Sequence, residues 1–354
     1  MTHRFPRPSH VRRTLAGAGC TAALALVAAC SDSTTEPPPP LTATLLTVDA
    51  SQAPAFVKLG DPATQVTIGD PTTSSDWDLS FFATSVSVNG GASGPGGVTA
   101  FCVCTNANAT VAQLQAMTPE NQLAAFDAVT TAPPAASFVA DALNPAISGW
   151  FTGSGTSATA VTTRSWIVRR SVPNVILAKF RVTAISGATA TSVGNVTVEY
   201  AIQPSTGAAF GPVSTRTINL ASGPVFLDLS SGPVTQSAFW DVRLSGFEIR
   251  INGGVSGTGG VGAVLDESTP FAQITSAYAA SAPPVAYRSD SFGGVFVTSP
   301  WYRYNITGTD NQIWPNFNVY LVKRGDAVFK LQVTSYYGAT GTSRQITVRS
   351  VRLQ

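Results

Sequence analysis

Residues 77–100 read WDLSFFATSVSVNGGASGPGGVTA, and residues 240–263 read WDVRLSGFEIRINGGVSGTGGVGA. At a constant offset of 163, without a gap, eleven of the 24 positions are identical, among them Trp-Asp, Asn-Gly-Gly, Ser-Gly and Gly-Gly-Val. Agreement of that density marks an internal duplication. Working outward in the C-terminal direction, Trp150-Phe151 answers Trp301-Tyr302, and Trp166-Ile-Val-Arg-Arg answers Tyr320-Leu-Val-Lys-Arg. Lys179-Phe-Arg-Val-Thr answers Lys330-Leu-Gln-Val-Thr, and Val196-Thr-Val answers Ile346-Thr-Val. A unit of roughly 150 residues is too long for a solenoid repeat and is large enough to hold a core of its own. The expectation is therefore two tandem domains, residues 42–204 and 205–354, with the boundary near residues 203–207.

Within each unit the signals are those of strands. Phe247, Ile249 and Ile251 alternate with Glu248 and Arg250, the period of a strand with one buried face. Asn252-Gly253 follows, as Asn89-Gly90 does in the first copy, and suits a tight turn needing positive φ. Residues 320–324 and 328–333 flank a Gly325-Asp326 turn and predict a β-hairpin, which makes Arg324-Gly325-Asp326 a hairpin tip rather than an adhesion motif. Helix is scarce: Thr118-Pro119-Glu120 before residues 123–126 predicts one short helix, in an insertion of the first unit. Across the 354 residues, 44% are hydrophobic and 11% charged, with 31 Gly and 24 Pro, a composition of short strands and turns. The fold class expected is all-β, built of antiparallel strands.

The N-terminus predicts an address. A basic region to Arg13 and an apolar run over residues 15–28 lead to Val27-Ala28-Ala29-Cys30, which resembles a lipobox whose cysteine accepts diacylglycerol. The apolar run is shorter than the ~20 residues a membrane span needs. Residues 1–29 are thus expected to be a lipoprotein signal peptide and Cys30 the lipidated residue. Residues 30–41, polar and then Pro37 to Pro40, form a stiff tether. The protein is expected to be exported and anchored to a bacterial membrane, the outer membrane or cell surface. The formal charge of +2 includes Arg4, Arg7, Arg12 and Arg13 of the leader. The remainder is near neutral, with no basic stripe for phosphates, which disfavours nucleic acid. Both histidines, His3 and His10, also lie in the leader.

The ordered motifs are familiar as a set. The segment before Trp-Asp, the Asn-Gly-Gly-x-Ser-Gly-x-Gly-Gly-Val-x-Ala stretch, Trp-Tyr-Arg-Tyr at 301–304 and Lys-Leu-Gln-Val-Thr-Ser-Tyr-Tyr at 330–337 resemble the HmuY family. The likeness covers roughly residues 45–354 and is closer in the second copy. It implies two HmuY-like β domains and a haem-binding, hemophore-like surface lipoprotein, with a haem-carrying protein as a partner. Members of that family hold the iron through paired histidines or methionines, and the chain after Cys30 has no histidine. The remaining ligand candidates are Met117, which a core-filling or surface role explains better, and Tyr302 and Tyr304, with Tyr336 and Tyr337 behind them; strand packing is the better account of all four.

Cys102 and Cys104, in an exported chain, are candidates for a disulfide. On an extended strand both point to one face near the limit of Cα separation, so a bridge requires a local kink. As metal ligands they form an incomplete set, so no metal site is expected. The inventory also argues against an enzyme: histidine-dependent triads are impossible, and the glycine-rich segments lack the Lys-Ser/Thr and helix of a phosphate loop. Asp78 and Asp241, one in each Trp-Asp pair, are expected to hold neighbouring turns rather than to form a glycosidase pair. Two functions stay open. One is binding of haem or another planar or apolar small ligand for uptake, without axial histidines; the other is a structural or adhesive module for protein or glycan whose haem site has been lost.

Overall fold

The structure, a computed structural model, describes residues 42–190 and 192–353. The leader, Cys30 and the tether lie outside the described residues. The first half contains β1 (Thr44–Asp49), β2 (Ala55–Lys58), β3 (Thr64–Val66), β4 (Leu79–Phe82), β5 (Ser85–Val88), β6 (Thr99–Cys102), β7 (Ala142–Asn144), β8 (Phe151–Thr152), β9 (Thr159–Ala160), β10 (Ser165–Arg170), β11 (Ile176–Ser186) and β12 (Asn195–Ile202). The second half follows the same order with β13 (Ser214–Asn219), β14 (Val225–Asp228), β15 (Gly232–Val234), β16 (Val242–Ser245), β17 (Glu248–Ile251), β18 (Val261–Asp266), β19 (Ser291–Gly293), β20 (Tyr302–Tyr304), β21 (Ile313–Pro315), β22 (Val319–Arg324), β23 (Ala327–Tyr337) and β24 (Ser343–Arg352). The protein is all-β, its strands antiparallel throughout these sheets.

The two halves do not close separately. One five-stranded sheet has the order β1-β24-β23-β22-β6, and the other β13-β12-β11-β10-β18. In each, the first and sixth strands of one half flank the last three of the other. The four-stranded sheets, β3-β2-β4-β5 and β15-β14-β16-β17, each stay within one half. This corrects the boundary expected between residues 204 and 205. It falls inside a sheet, because β12 and β13 pair from Asn195↔Asn219 to Tyr200↔Ser214, while the N-terminal β1 pairs with the C-terminal β24. The short pair β7–β19 lies where the halves meet and brings the equivalent residues Leu143 and Phe292 opposite each other, as a pseudo-twofold axis requires.

Two lobes result. In the first, Val57, Leu79 and Val88 of β2, β4 and β5 pack against Tyr320, Leu331 and Val348 of β22, β23 and β24. In the second, Leu227, Val242 and Ile251 pack against Trp166, Phe180 and Val198, so the core is drawn from a continuous stretch of chain. Each lobe is a sandwich of a five-stranded and a four-stranded sheet, with alternate side chains of each sheet turned inward.

The repeated motifs serve this scaffold. Asp78 Oδ2 accepts the Leu59 amide at 2.7 Å and the Arg324 guanidinium. Asp241 Oδ2 accepts the Leu229 amide at 2.9 Å and Arg170 Nη2 at 2.7 Å. Each aspartate holds the turn after the second strand of its own half and ties it to an arginine from the other half. Arg324 is thereby engaged at the hairpin tip, where Arg324 pairs with Ala327 across Gly325-Asp326. Lys179 Nζ donates to the Phe271 carbonyl at 2.8 Å and Lys330 Nζ to that of Phe126 at 3.2 Å, each ammonium 4.6 Å from the ring centre of that same phenylalanine.

Asn89 and Asn252 act through their side chains. Each Nδ2 donates to a tryptophan carbonyl, Trp77 or Trp240, at 2.9 Å, and each Oδ1 accepts an amide, Gly96 at 2.9 Å or Gly259 at 3.0 Å. The Asn-Gly pairs do not themselves supply the positive φ expected of a tight turn. Positive φ falls one residue later, at Gly91 and Gly254. Gly90 and Gly253 are needed because a Cβ there would stand 1.9 Å from the carbonyl oxygen of Val98 or Val261.

A helix forms where residues 123–126 predicted one, at Leu123–Asp127, but helix is more frequent than expected. The described residues hold four short α-helices, two in each half: α1 (Val111–Ala116), α2 (Leu123–Asp127), α3 (Ser276–Ser281) and α4 (Val295–Thr298). Thr118 caps only a turn, its Oγ accepting the Asn121 amide at 3.2 Å, while Thr110 caps α1. The second half lacks that sequence signal because its helices begin at Thr275 and Gly294 without a following acidic residue.

Candidate functional site

A cleft of about 1070 Å³ belongs to the second lobe. Its floor follows from strand register: Phe226 on β14 pairs with Arg243 on β16, and Arg243 pairs with Arg250 on β17. Alternation turns Leu227, Val242, Leu244, Ile249 and Ile251 into the core, so Phe226, Arg243 and Arg250 form one row on the opposite face. The walls are Val172 and Pro173 from the β10–β11 connection, Phe239 and Trp240 ahead of β16, and the glycine-rich loop from Ser256 to Gly259. The Asn252 bonds described above fix that loop. Trp240 packs edge-on against Phe226 with ring centres 5.3 Å apart.

The cations of this region differ in how they are held. Arg170, 4.3 Å from the Phe239 ring centre, is neutralised by Asp241 and by Asp228 at 3.1 Å. Arg243 and Arg250 share Glu248, which contacts Arg250 Nε closely and lies 3.9 Å from Arg243 Nη1. Among the described residues no other carboxylate makes an ion pair with either. Arg243 lies 5.8 Å from the Phe226 ring centre and donates no hydrogen bond to a described residue, although its side chain is only 21% exposed. Burial, and then the like charge of Arg250, push its pKa down against the pull of Glu248; a guanidinium keeps its charge through such a shift.

The first lobe has the same frame without this chemistry. There Phe56 pairs with Ser80 and Ser80 with Ser87, and Asp76 occupies the position of Phe239. Sequence reading placed Arg250 at an outward position of a strand and did not take up Arg243. The signal was in the two quoted stretches: at outward positions of otherwise matching strands, serine in one copy faces arginine in the other.

The sequence-derived candidates lie elsewhere, in the first lobe, where Arg303, between Tyr302 and Tyr304, donates to the carbonyls of Ala109 at 2.8 Å and Ala107 at 2.9 Å beside Met117. Met117, the C-cap of α1, lines a smaller cleft of about 510 Å³ with Cys104, Asn106, Gln113, Asn121 and Gln122. The amides there are bonded among themselves and to backbone: Asn106 Nδ2 donates to Gln122 Oε1 at 3.1 Å, and Gln113 Oε1 accepts the Thr110 amide at 2.8 Å. Neither Tyr302 nor Tyr304 lines that cleft. Tyr302 packs on Trp301 with ring centres 5.0 Å apart, and Tyr304, 57% exposed, donates to Asn311 Oδ1 at 2.9 Å. Tyr336 also stacks on Trp301, and the Tyr337 hydroxyl accepts the Ile313 amide at 3.1 Å.

Cys102 and Cys104 are joined by a disulfide with Cα atoms 4.9 Å apart. Cys104 has φ 54°, and that left-handed kink draws the two Cα atoms together at the end of β6. Among the described residues no three His, Cys, Asp or Glu side chains converge as a metal-holding group. Compared with protein-family models and with curated proteins, the chain matches none.

Proposed function

We propose that this protein is an exported, lipid-anchored surface protein that binds a small ligand with a planar or apolar body, and that the ligand occupies the cleft of the second lobe. The observation that carries the reading is the divergence of that cleft within a duplicated frame: Phe239, Arg243 and Arg250 stand where the first lobe has Asp76, Ser80 and Ser87. Aromatic walls over a few placed polar groups are the usual make-up of a small-molecule site. The resemblance to HmuY makes haem the first ligand to test, held by its faces and edges rather than by axial histidines. The protein acts by binding and not by catalysis, delivering cargo to a partner or retaining it at the surface.

Titration of the purified protein with haem, followed by its Soret band, and with the neutral fluorophore N-phenyl-1-naphthylamine tests this reading. Saturable binding of either, lost on Phe239→Asp, is expected. If the fluorophore binds and haem does not, haem is removed and the cleft stands; if neither saturates, the reading falls. The second reading, an adhesive module, draws on the absence of histidine after residue 10. It is favoured by failure of both titrations.

A further inference from the structure

We infer that the second-lobe cleft selects ligands carrying one oxyanion, a carboxylate or its sulfonate equivalent, on a planar apolar body, with Glu248 as the internal anion that the ligand displaces. The inference rests on the reading of this cleft as a small-ligand site and names the chemistry of what enters it.

The charge balance is its starting point. Arg243 and Arg250 face each other across β16 and β17, a like-charge cross-strand pair that destabilises a sheet unless something offsets it. Glu248 supplies one negative charge against two positive, and holds Arg250 far more closely than Arg243, 3.9 Å away. Asp290 also acts on Arg250, so the less compensated cation is Arg243, the guanidinium that donates no hydrogen bond to a described residue. Five N–H donors in a planar fork, mostly buried and facing a cleft, match a single carboxylate better than any neutral group.

The apolar part follows from the neighbours. Phe226 lies in the same row, Trp240 stands edge-on to it, and Pro173 and Phe239 form the facing walls. A molecule whose ring lies between those walls places an acidic substituent over Arg243. The first lobe, with serines at both arginine positions, has no such selectivity.

Two fluorophores that differ by one sulfonate separate the terms: 8-anilinonaphthalene-1-sulfonate and neutral N-phenyl-1-naphthylamine. The anion is expected to bind about tenfold or more tightly than the neutral probe, the range for a hydrogen bond to a charged group. Arg243→Gln with Arg250→Gln is expected to erase that advantage while leaving neutral binding within about twofold, since the apolar walls stay in place. Glu248→Gln is expected to tighten the anion and leave the neutral probe unmoved. Equal affinities in the wild type, or an anion affinity indifferent to the double substitution, overturn the inference and leave the small-ligand reading intact. Neither probe binding overturns the inference, and with haem also failing to saturate it overturns the small-ligand reading as well. Circular dichroism of each variant, matched to the wild type, keeps a folding defect from passing as lost affinity.

Discussion

Asp141 illustrates how a single side chain here works for the frame at a cost that depends on pH. Its Oδ2 accepts the Val88 amide at 2.9 Å and the Ser93 hydroxyl at 3.0 Å, and burial raises its pKa from 3.8 to about 6 in spite of those bonds. Between those values the unfolded chain has released the proton while the folded chain keeps it. The contribution of Asp141 to stability therefore falls as pH rises through that window, and above about pH 6 the penalty is complete at roughly 3 kcal/mol. Asparagine keeps the accepting oxygen without the charge. Asp141→Asn is expected to match the wild type in urea unfolding near pH 3.5 and to exceed it at pH 7; a difference constant across pH would contradict the assignment. Its counterpart Asp290 accepts the Ile251 amide at 3.0 Å and the Ala146 amide at 2.8 Å, and burial raises it too.

Strands carry the chemical difference between the lobes on which the binding proposal rests. The row Phe226, Arg243, Arg250 sits on a sheet whose buried face keeps to the pattern of its counterpart, so charge was added to the outer face without disturbing the core. Glu248 is the carboxylate that steadies this row. Glu248→Gln is expected to lower stability by roughly 0.5–1 kcal/mol in low-salt buffer, the scale of an uncompensated cross-strand charge pair, and added salt should restore part of it through screening. Chemical denaturation at two ionic strengths measures both effects, and a loss that salt does not touch would place the role of Glu248 in packing instead. At this scale the sequence was a good guide to elements and a poor one to the site. The period-two pattern at 247–251 gave the strand with Ile249 and Ile251 buried, and the Trp-Asp and Asn-Gly-Gly motifs marked scaffold positions because both copies need the same backbone bonds. Arg243 and Arg250 were hidden because an outward arginine on a strand looks the same whether it faces solvent or a cleft.

At the scale of the whole molecule, the duplication was legible and the exchange of strands was not, for a physical reason. Ala100 of β6 lies against Val322 of β22, and the equivalent Ala263 of β18 lies against the equivalent Val168 of β10. Pairing within a half or between halves thus buries the same kinds of side chain, and the choice rests on the route of the connecting chain, which carries no periodic signal. The exchange has a consequence for folding. Residues 146–266 contain every strand of the second lobe and its core, so this fragment is expected to unfold cooperatively by itself. Residues 42–204, the unit defined by sequence similarity, leave β1 without β24 and β6 without β22. That fragment is expected to yield no folded monomer by sedimentation and circular dichroism; a stable monomer would mean the halves can close on themselves.

The assignment of binding to one lobe is tested most directly by NMR mapping of the intact protein titrated with 8-anilinonaphthalene-1-sulfonate. Shift changes are expected at the side-chain Nε–H groups of Arg243 and Arg250, at Phe226 and Phe239, and along the loop from Ser256 to Gly259, with Phe56, Asp76, Ser80 and Ser87 unmoved. Changes centred on Met117 and Asn106, or of equal size in both lobes, would contradict it.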